Sequence, residues 1–446
     1  MSFSAASLRA VLKAHAPLGA AGLVVGLSGG SDSANLLAAA ASLQGSFRGL
    51  KLRAVHVDHG LQAAAAAFRE TCAALCTRLG VPLTVLSLVV DAPRGASLEA
   101  AARDARYAAL AAVLEPGECL LTAHHSDDQA ETLLLQALRG AGLKGMSAMP
   151  ICRPLGRGWH LRPVLETPQS ELLAGGAHLS GVCAADPMNE DLRFDRSYLR
   201  SQVWPLLEGR WPGAATALAR AARHVGEAQE LLDVTGAEDV GRLRDGDALS
   251  VPGLRALAPQ ARINAVRFWL GEAGVEAPPA ARLTEALRQM FDAQIDHLPV
   301  VVWGNHALRR YRQRIFLTAA HPPRLEGERP WSAGSAAPLD LGPELGELRW
   351  VAQAGGLDSA RLPHSVSVRR REGGETLKPA ARARTQTVQH LCQSQGVLPW
   401  RRDALPLVFA DNALIAIGDL WLDARLRVAA GAPGIAIRWE RAPIIV

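Results

Sequence analysis

The chain has few of the residues that reveal chemistry by themselves. Of its 446 residues only six are cysteine (Cys72, Cys76, Cys119, Cys152, Cys183 and Cys392), with no CxxC pair, which argues against a disulfide framework or an iron-sulfur site and leaves them to be read as core thiols. Lysine is scarcer still, at Lys13, Lys51, Lys144 and Lys378 only, and no glycine loop ends in Lys-Ser or Lys-Thr, which excludes a Walker A phosphate loop. No apolar run approaches the roughly 18 residues that a membrane-spanning helix needs. The first twenty residues also lack the basic start, apolar core and cleavage site of a secretory signal, so a cytoplasmic location without a membrane partner is expected.

What is present is an ordinary globular composition, 49% hydrophobic and 20% charged, with a net charge of +5. At roughly 150 residues per domain the length favours about three domains. The positive charge is concentrated: residues 361–402 hold nine basic against two acidic residues. Through the first two hundred residues, short Leu/Val runs alternate with longer Ala/Leu-rich helical patterns, which predicts a doubly wound parallel α/β sheet with crossover helices. The expected strands are 23–27, 52–58, 83–89 and 119–123, and the expected helices 33–43, 63–79, 98–114 and 127–138. A capping box of Ser126 and Gln129 is expected to open the last of these. From about residue 212 strand signals give way to helical patterns at 214–232, 255–270 and 280–291, a strand-like stretch at 299–303 and the basic run HALRRYRQRIFL. The organisation expected is a catalytic domain over 1–212, a small helical domain over 213–320, a Pro/Gly-rich linker over 321–358 and a small basic α+β domain over 359–446.

Three strings carry chemistry, each at an expected strand end, where open α/β sheets bind ligands. In LVVGLSGGSDSANLL a buried strand runs through Ser28, Gly29, Gly30, Ser31, Asp32 and Ser33 into a helix. The glycines admit close backbone approach, the helix start offers free N–H groups to a phosphate, and Asp32 suits Mg²⁺. In VHVDHGLQ, Asp58 and His59 close the second strand. In TAHHSDDQAETLLLQALRGAGLKGM, His124, His125, Asp127, Asp128 and Glu131 crowd one helix start. Asp128 and Glu131, three apart, share a face fit for a metal or an ammonium group.

SGGSDS resembles the PP-loop of the N-type ATP pyrophosphatases. Together with HVDHGLQ, EAAARDARY (99–107), the AHHSDDQAET string, LRPVL (161–165), DPMNEDLRFDRSYLR (186–200) and RRREGGETLKP (369–379), it resembles the tRNA(Ile)-lysidine synthetase family over residues 20 to 425. Where that family has Arg after HGL and Ser within RGSG, this chain has Gln62 and Ala141. The resemblance implies ligation of L-lysine to the wobble cytidine (position 34) of a CAU-anticodon tRNA(Ile). The base is first adenylated by ATP, AMP and diphosphate are released, and codon reading changes from AUG to AUA. ATP would lie on Ser28 to Ser33 with Asp58 and His59, and Asp32 and Asp128 would share Mg²⁺. Arg103, Arg106 and Glu131 would bind lysine, with His124 taking a proton beside Asp32, Asp128 and Glu131 as catalytic groups. Arg196, Arg200, Arg309, Arg310, Arg369, Arg370, Arg371 and Lys378 would meet tRNA, and the protein would be a monomer or homodimer. The alternatives are a tRNA thiolase, for which Cys72 and Cys76 are badly spaced, and a small-molecule amidating ligase, which leaves the basic C-terminal stretch unexplained.

Overall fold

The computed structural model describes residues 3–17, 20–44, 51–58, 65–88, 98–175, 192–294 and 297–440. It divides into two compact units, 1–231 and 232–446.

The first unit is built on six strands: β1 (Gly22–Gly26), β2 (Lys51–Asp58), β3 (Leu83–Ser87), β4 (Glu118–Leu121), β5 (Cys152–Leu155) and β6 (Gly158–Leu161). Their order is β3-β2-β1-β4-β6-β5. All pairs are parallel except β5 with β6, a hairpin that closes one edge. Both sheet faces are buried, as the unbroken apolar strands require. Along β1, Leu23 and Val25 join a core with Leu36, Leu37, Cys119 and Leu121. Val24 points the other way, into a second core with Val55, Leu110, Leu114 and Leu120. The helices covering these faces are α1 (Ala5–His15), α2 (Ser31–Ser42), α3 (Ala65–Leu79), α4 (Leu98–Val113) and α5 (Ser126–Leu138). The chain builds outward from β1 through β2 to β3 and then crosses back to β4, so strand order reverses between β1 and β4. That reversal opens a crevice at their C-terminal ends.

The start of α5 differs from expectation. The cap is His125, whose N–H donates to the Asp128 carboxylate at 3.1 Å. Gln129 turns inward instead, donating to the Met149 carbonyl and accepting from its N–H, both at 2.8 Å. An acid at the third helical position serves the N-terminal dipole, which frees the amide to mimic a backbone pair elsewhere.

In the second unit the helices Val251–Ala256, Pro259–Glu272 and Ala280–Asp292 accompany a five-stranded antiparallel sheet that the sequence announced only in part. HALRRYRQRIFL is its central hairpin, His306–Tyr311 paired with Arg314–Ala319, and Arg312 turns at φ +55°. The stretch expected to be a linker is ordered as well. Glu328–Ser332 is the edge of a second five-stranded sheet, and Leu339–Asp340 and Glu347–Ala354 join Pro433–Glu440 in a third. Pro330 is tolerated because an edge strand leaves one row of N–H groups unpaired, and Trp331 and Leu348 supply the core contact that a linker lacks. Ser365–Arg369, Leu407–Ala410 and Ala413–Ile417 are strands within the region expected to be α+β.

Candidate active site

At the end of β1 the chain reaches Ser28, turns through Gly29 at φ +92° and enters α2 with Gly30 as its cap. The loop is braced internally. The Ser28 and Ser33 hydroxyls are 3.0 Å apart, Ser33 Oγ accepts from the Ser28 N–H at 3.1 Å and donates to the Gly30 carbonyl at 3.0 Å, and Ser28 Oγ accepts from the Gly30 N–H at 3.3 Å. A Cβ on Gly29 would lie 2.7 Å from the Phe68 ring. Glycine is therefore required twice here, by its φ and by the close approach. Asp32, in the first turn of α2, accepts from Gln169 Nε2 at 3.1 Å through Oδ2, while its Oδ1 is buried with no partner.

Beside it, at the end of β4, the sequence reading missed the central group. His125 is nearly fully buried; its Nε2 lies 3.7 Å from Asp32 and 3.4 Å from Asp128, and its Nδ1 lies 3.3 Å from Asp127. Burial pushes this imidazole down, but the three carboxylates outweigh it and hold it above its ordinary value. Burial holds the Asp32 carboxyl above its ordinary value, His125 and Gln169 oppose that, and Asp128 reinforces it. Two histidines in a row give no spacing signal as to which one faces the acids; only the path of the chain leaving β4 decides.

Glu131 is buried, and the helical run 195–210 closes over it. Arg196 donates to Glu131 at 2.8 Å and to Asp128 at 2.7 Å, and Arg200 donates to Glu131 at 2.7 and 2.9 Å. The turn holding Arg200, Leu199–Val203, is π-helical, a geometry frequent at functional sites. Both arginines, expected to meet tRNA, therefore lie on the acidic cluster.

His124 points elsewhere. Just past the end of β4, Thr122 Oγ1 lies 2.8 Å from His124 Nδ1 and 2.8 Å from Nε2 of the fully buried His160. Burial takes His124 down to about 3 and His160 to about 2, so both are neutral at physiological pH. Arg103 and Arg106 flank Tyr107, and the structure adds Arg153 to the same ring, all three guanidinium carbons at 5.3–5.5 Å from its centroid. Burial lowers the Arg106 pKa.

Asp58 ends β2, and His59 lies outside the described residues. Arg310 is buried: it donates to the carbonyls of Met290, Phe291 and Ala293, at 2.6, 3.3 and 3.0 Å, and so caps the helix Ala280–Asp292. Half-buried Arg309 donates to Thr318 and to the Ala320 carbonyl. Buried Arg310 is therefore committed to the helix end and not offered to a polyanion. Arg369 lies over the Phe409 ring and pairs with Glu372, and Arg371 pairs with Asp403. Arg370 is exposed and Lys378 half-buried, and neither has an ion-pair partner among the described residues.

Among the described residues no group of three or more His, Cys, Asp or Glu is arranged to hold a metal. Asp32 nevertheless fits a divalent cation, because its Oδ1 is buried without a partner and a second carboxylate lies nearby. Both Asp128 oxygens are engaged by His125, Arg196 and Arg200. No helix among the described residues is long and apolar enough to cross a membrane.

Comparison with known proteins covers nearly the whole chain. A PP-loop domain model matches residues 4–207, a TilS substrate binding domain model 249–316 and a TilS substrate C-terminal domain model 366–439. A tRNA(Ile)-lysidine synthase of Alkalilimnicola ehrlichii is 42% identical over 404 residues, 90% of each chain. One from Methylococcus capsulatus is 36% identical over 428 residues, 93% of this chain and 95% of that one. One from Xanthomonas campestris is 38% identical over 427 residues, 94% of this chain and 95% of that one.

Proposed function

The chain belongs to the tRNA(Ile)-lysidine synthase family, and on that premise we propose that it uses ATP to join L-lysine to C2 of the wobble cytidine of the CAU-anticodon tRNA(Ile). A cytosine carbonyl oxygen is a poor leaving group. Its attack on the α-phosphorus of ATP expels diphosphate and makes that oxygen part of AMP; the ε-amine of lysine then attacks C2 and AMP departs. The observation that carries this reading is the meeting, through His125, of the serine-glycine loop after β1 with the acidic start of α5 after β4. We assign residues 1–212 to catalysis, with 213–320 and the basic 359–446 meeting tRNA.

In this reading the loop from Ser28 to Ser33 holds the phosphates through N–H groups and hydroxyls, with Asp58 and His59 beside the nucleotide. Asp32, with its unpartnered Oδ1, and Asp128 are the residues that would hold a Mg²⁺ ion, which would offset phosphate charge. Glu131 receives an ammonium group of lysine in exchange for part of its contact with Arg196 and Arg200, and Arg103 and Arg106 receive the carboxylate. Arg370 and Lys378, flanked by Arg369 and Arg371, face the RNA backbone. Phosphate contacts carry affinity rather than sequence choice.

The test is to incubate protein, ATP, Mg²⁺ and ¹⁴C-lysine with a CAU-anticodon isoleucine tRNA transcript or an initiator methionine tRNA of the same anticodon. Label in the first only, lost in Asp32→Ala, is expected. AMP formation without label in either RNA overturns the reading in favour of a thiolase or amidating ligase.

A further inference from the structure

Thr122 has one hydroxyl proton and two histidine neighbours, His124 Nδ1 and His160 Nε2, each at 2.8 Å. Among the described residues its Oγ1 has no third partner. With both rings neutral, the hydroxyl donates to one nitrogen and accepts from the other, so the two tautomers are locked together.

The surroundings of His160 choose between the two arrangements. Its other nitrogen, Nδ1, is buried without a partner, as are Nε of Arg153 and Nε of Arg162. The charged groups acting on this ring include Arg162, Arg153 and Arg103, which carry donors and no acceptors. Tyr107 stands against the ring at 5.5 Å between centroids. A proton on Nδ1 would be an orphan donor in the field of these cations, whereas a lone pair there is favoured by their positive charge. His160 therefore carries its proton on Nε2 and donates to Thr122, and Thr122 donates to His124 Nδ1.

The geometry points to His124 as a neutral hydrogen-bond donor: the His160–Thr122 chain fixes its proton on Nε2, so that it offers N–H to an oxygen of the substrate and is not the base that deprotonates lysine. The half-buried His124 feels Asp128, Arg162, Arg196 and Arg106, and Asp128 and Arg106 are groups that the proposed reaction gives to Mg²⁺ and to lysine, so this ring belongs to that site. A fixed donor aimed at an oxygen that gains charge stabilises the transition state without reorganisation. Thr122 and His160 are positioning residues. This inference rests on the proposed function for the identity of the oxygen, but the tautomer does not depend on it.

The test has two arms on the full chain. Two-bond ¹H–¹⁵N correlation of ¹⁵N-histidine-labelled protein, assigned with His124→Gln and His160→Phe, is expected to give the Nε2–H pattern for both rings. An Nδ1–H or doubly protonated His124 overturns the inference. Thr122→Val is expected to release His124 into mixed tautomers, and Thr122→Ser to restore the single one. In the lysine-incorporation assay His124→Gln, which keeps a donor and has no basic nitrogen, is expected to lose less than about tenfold in kcat, whereas His124→Ala loses about 10²–10³. Equal losses in the two variants, at the roughly 10²–10⁴ of a missing base, overturn the donor role. If wild-type protein incorporates no lysine while the tautomers are as stated, the functional reading fails and the tautomer chain stands.

Discussion

Gly29 combines two requirements that usually occur apart: a φ of +92° and a Cβ position 2.7 Å from the Phe68 ring. Gly29→Ala is expected to lower stability by about 1–3 kcal/mol and to reduce ATP cleavage more than tenfold. Removing the ring with Phe68→Ala relieves the contact but not the φ, so activity in the double variant is expected to stay low. Asp127 makes a different contribution. Burial pushes its carboxyl up, yet His125 and the Gln169 N–H, which it accepts at 3.0 Å, bring it down to about 2. A lowered folded value gives stability that is present above the ordinary 3.8 and is lost as pH falls through about 2. Wild-type protein is therefore expected to lose about 2 kcal/mol more than Asp127→Asn between pH 5 and pH 2, read from denaturant midpoints. The sequence placed Asp127 at a helix start but could not distinguish a dipole partner from a clamp on the neighbouring histidine and on Gln169, forty-two residues on.

At the level of elements, the run 195–210 is fastened to α5 by two arginines sharing two carboxylates. Removing Glu131, 3% exposed at its side chain, leaves both guanidinium groups short of a partner, whereas removing one arginine leaves Glu131 paired. Glu131→Gln is expected to cost about 3–5 kcal/mol in thermal unfolding, more than Arg196→Ala or Arg200→Ala, with strong coupling in the double variants. The i, i+4 spacing of the arginines was legible in the sequence, but the acids they meet lie more than sixty residues earlier, and no local pattern reports such a pairing. The same blindness affected HALRRYRQRIFL. Read as charge it looked like a phosphate surface, but as a hairpin it alternates, and Arg310 turns inward onto helix-end carbonyls. Arg310→Ala is expected to destabilise by about 1–3 kcal/mol, through carbonyls left without donors, while the affinity for tRNA stays unchanged.

For the whole molecule, the basic stretch 361–402 yields a smaller free surface than its nine cations suggest, since Arg369 and Arg371 already have acidic partners. Of the remainder, Arg370, Lys378, Arg382 and Arg384 have no ion pair among the described residues, and all but half-buried Lys378 are exposed. Replacing these four by alanine is expected to weaken tRNA binding and to flatten the dependence of log Kd on log salt by about 0.7–0.9 for each phosphate that is no longer neutralised. ATP binding is expected to be unaffected. A full loss of affinity with the salt slope unchanged would place the RNA elsewhere.

The sequence by itself determined the parallel sheet, the loop after β1, the acidic start of α5 and the family, because strand periodicity, glycine-serine turns and helix starts are local and each is written in consecutive residues. Tertiary structure alone decided that His125 rather than His124 sits among the carboxylates and that Thr122 links His124 to His160. It also decided that Arg196 and Arg200 lie over Glu131 and that Arg310 is a buried cap. In each case the partner is set by where strand order reverses or by which face of a strand is covered. Those follow from burying two sheet faces at once, a requirement on the whole chain that no window of neighbouring residues contains.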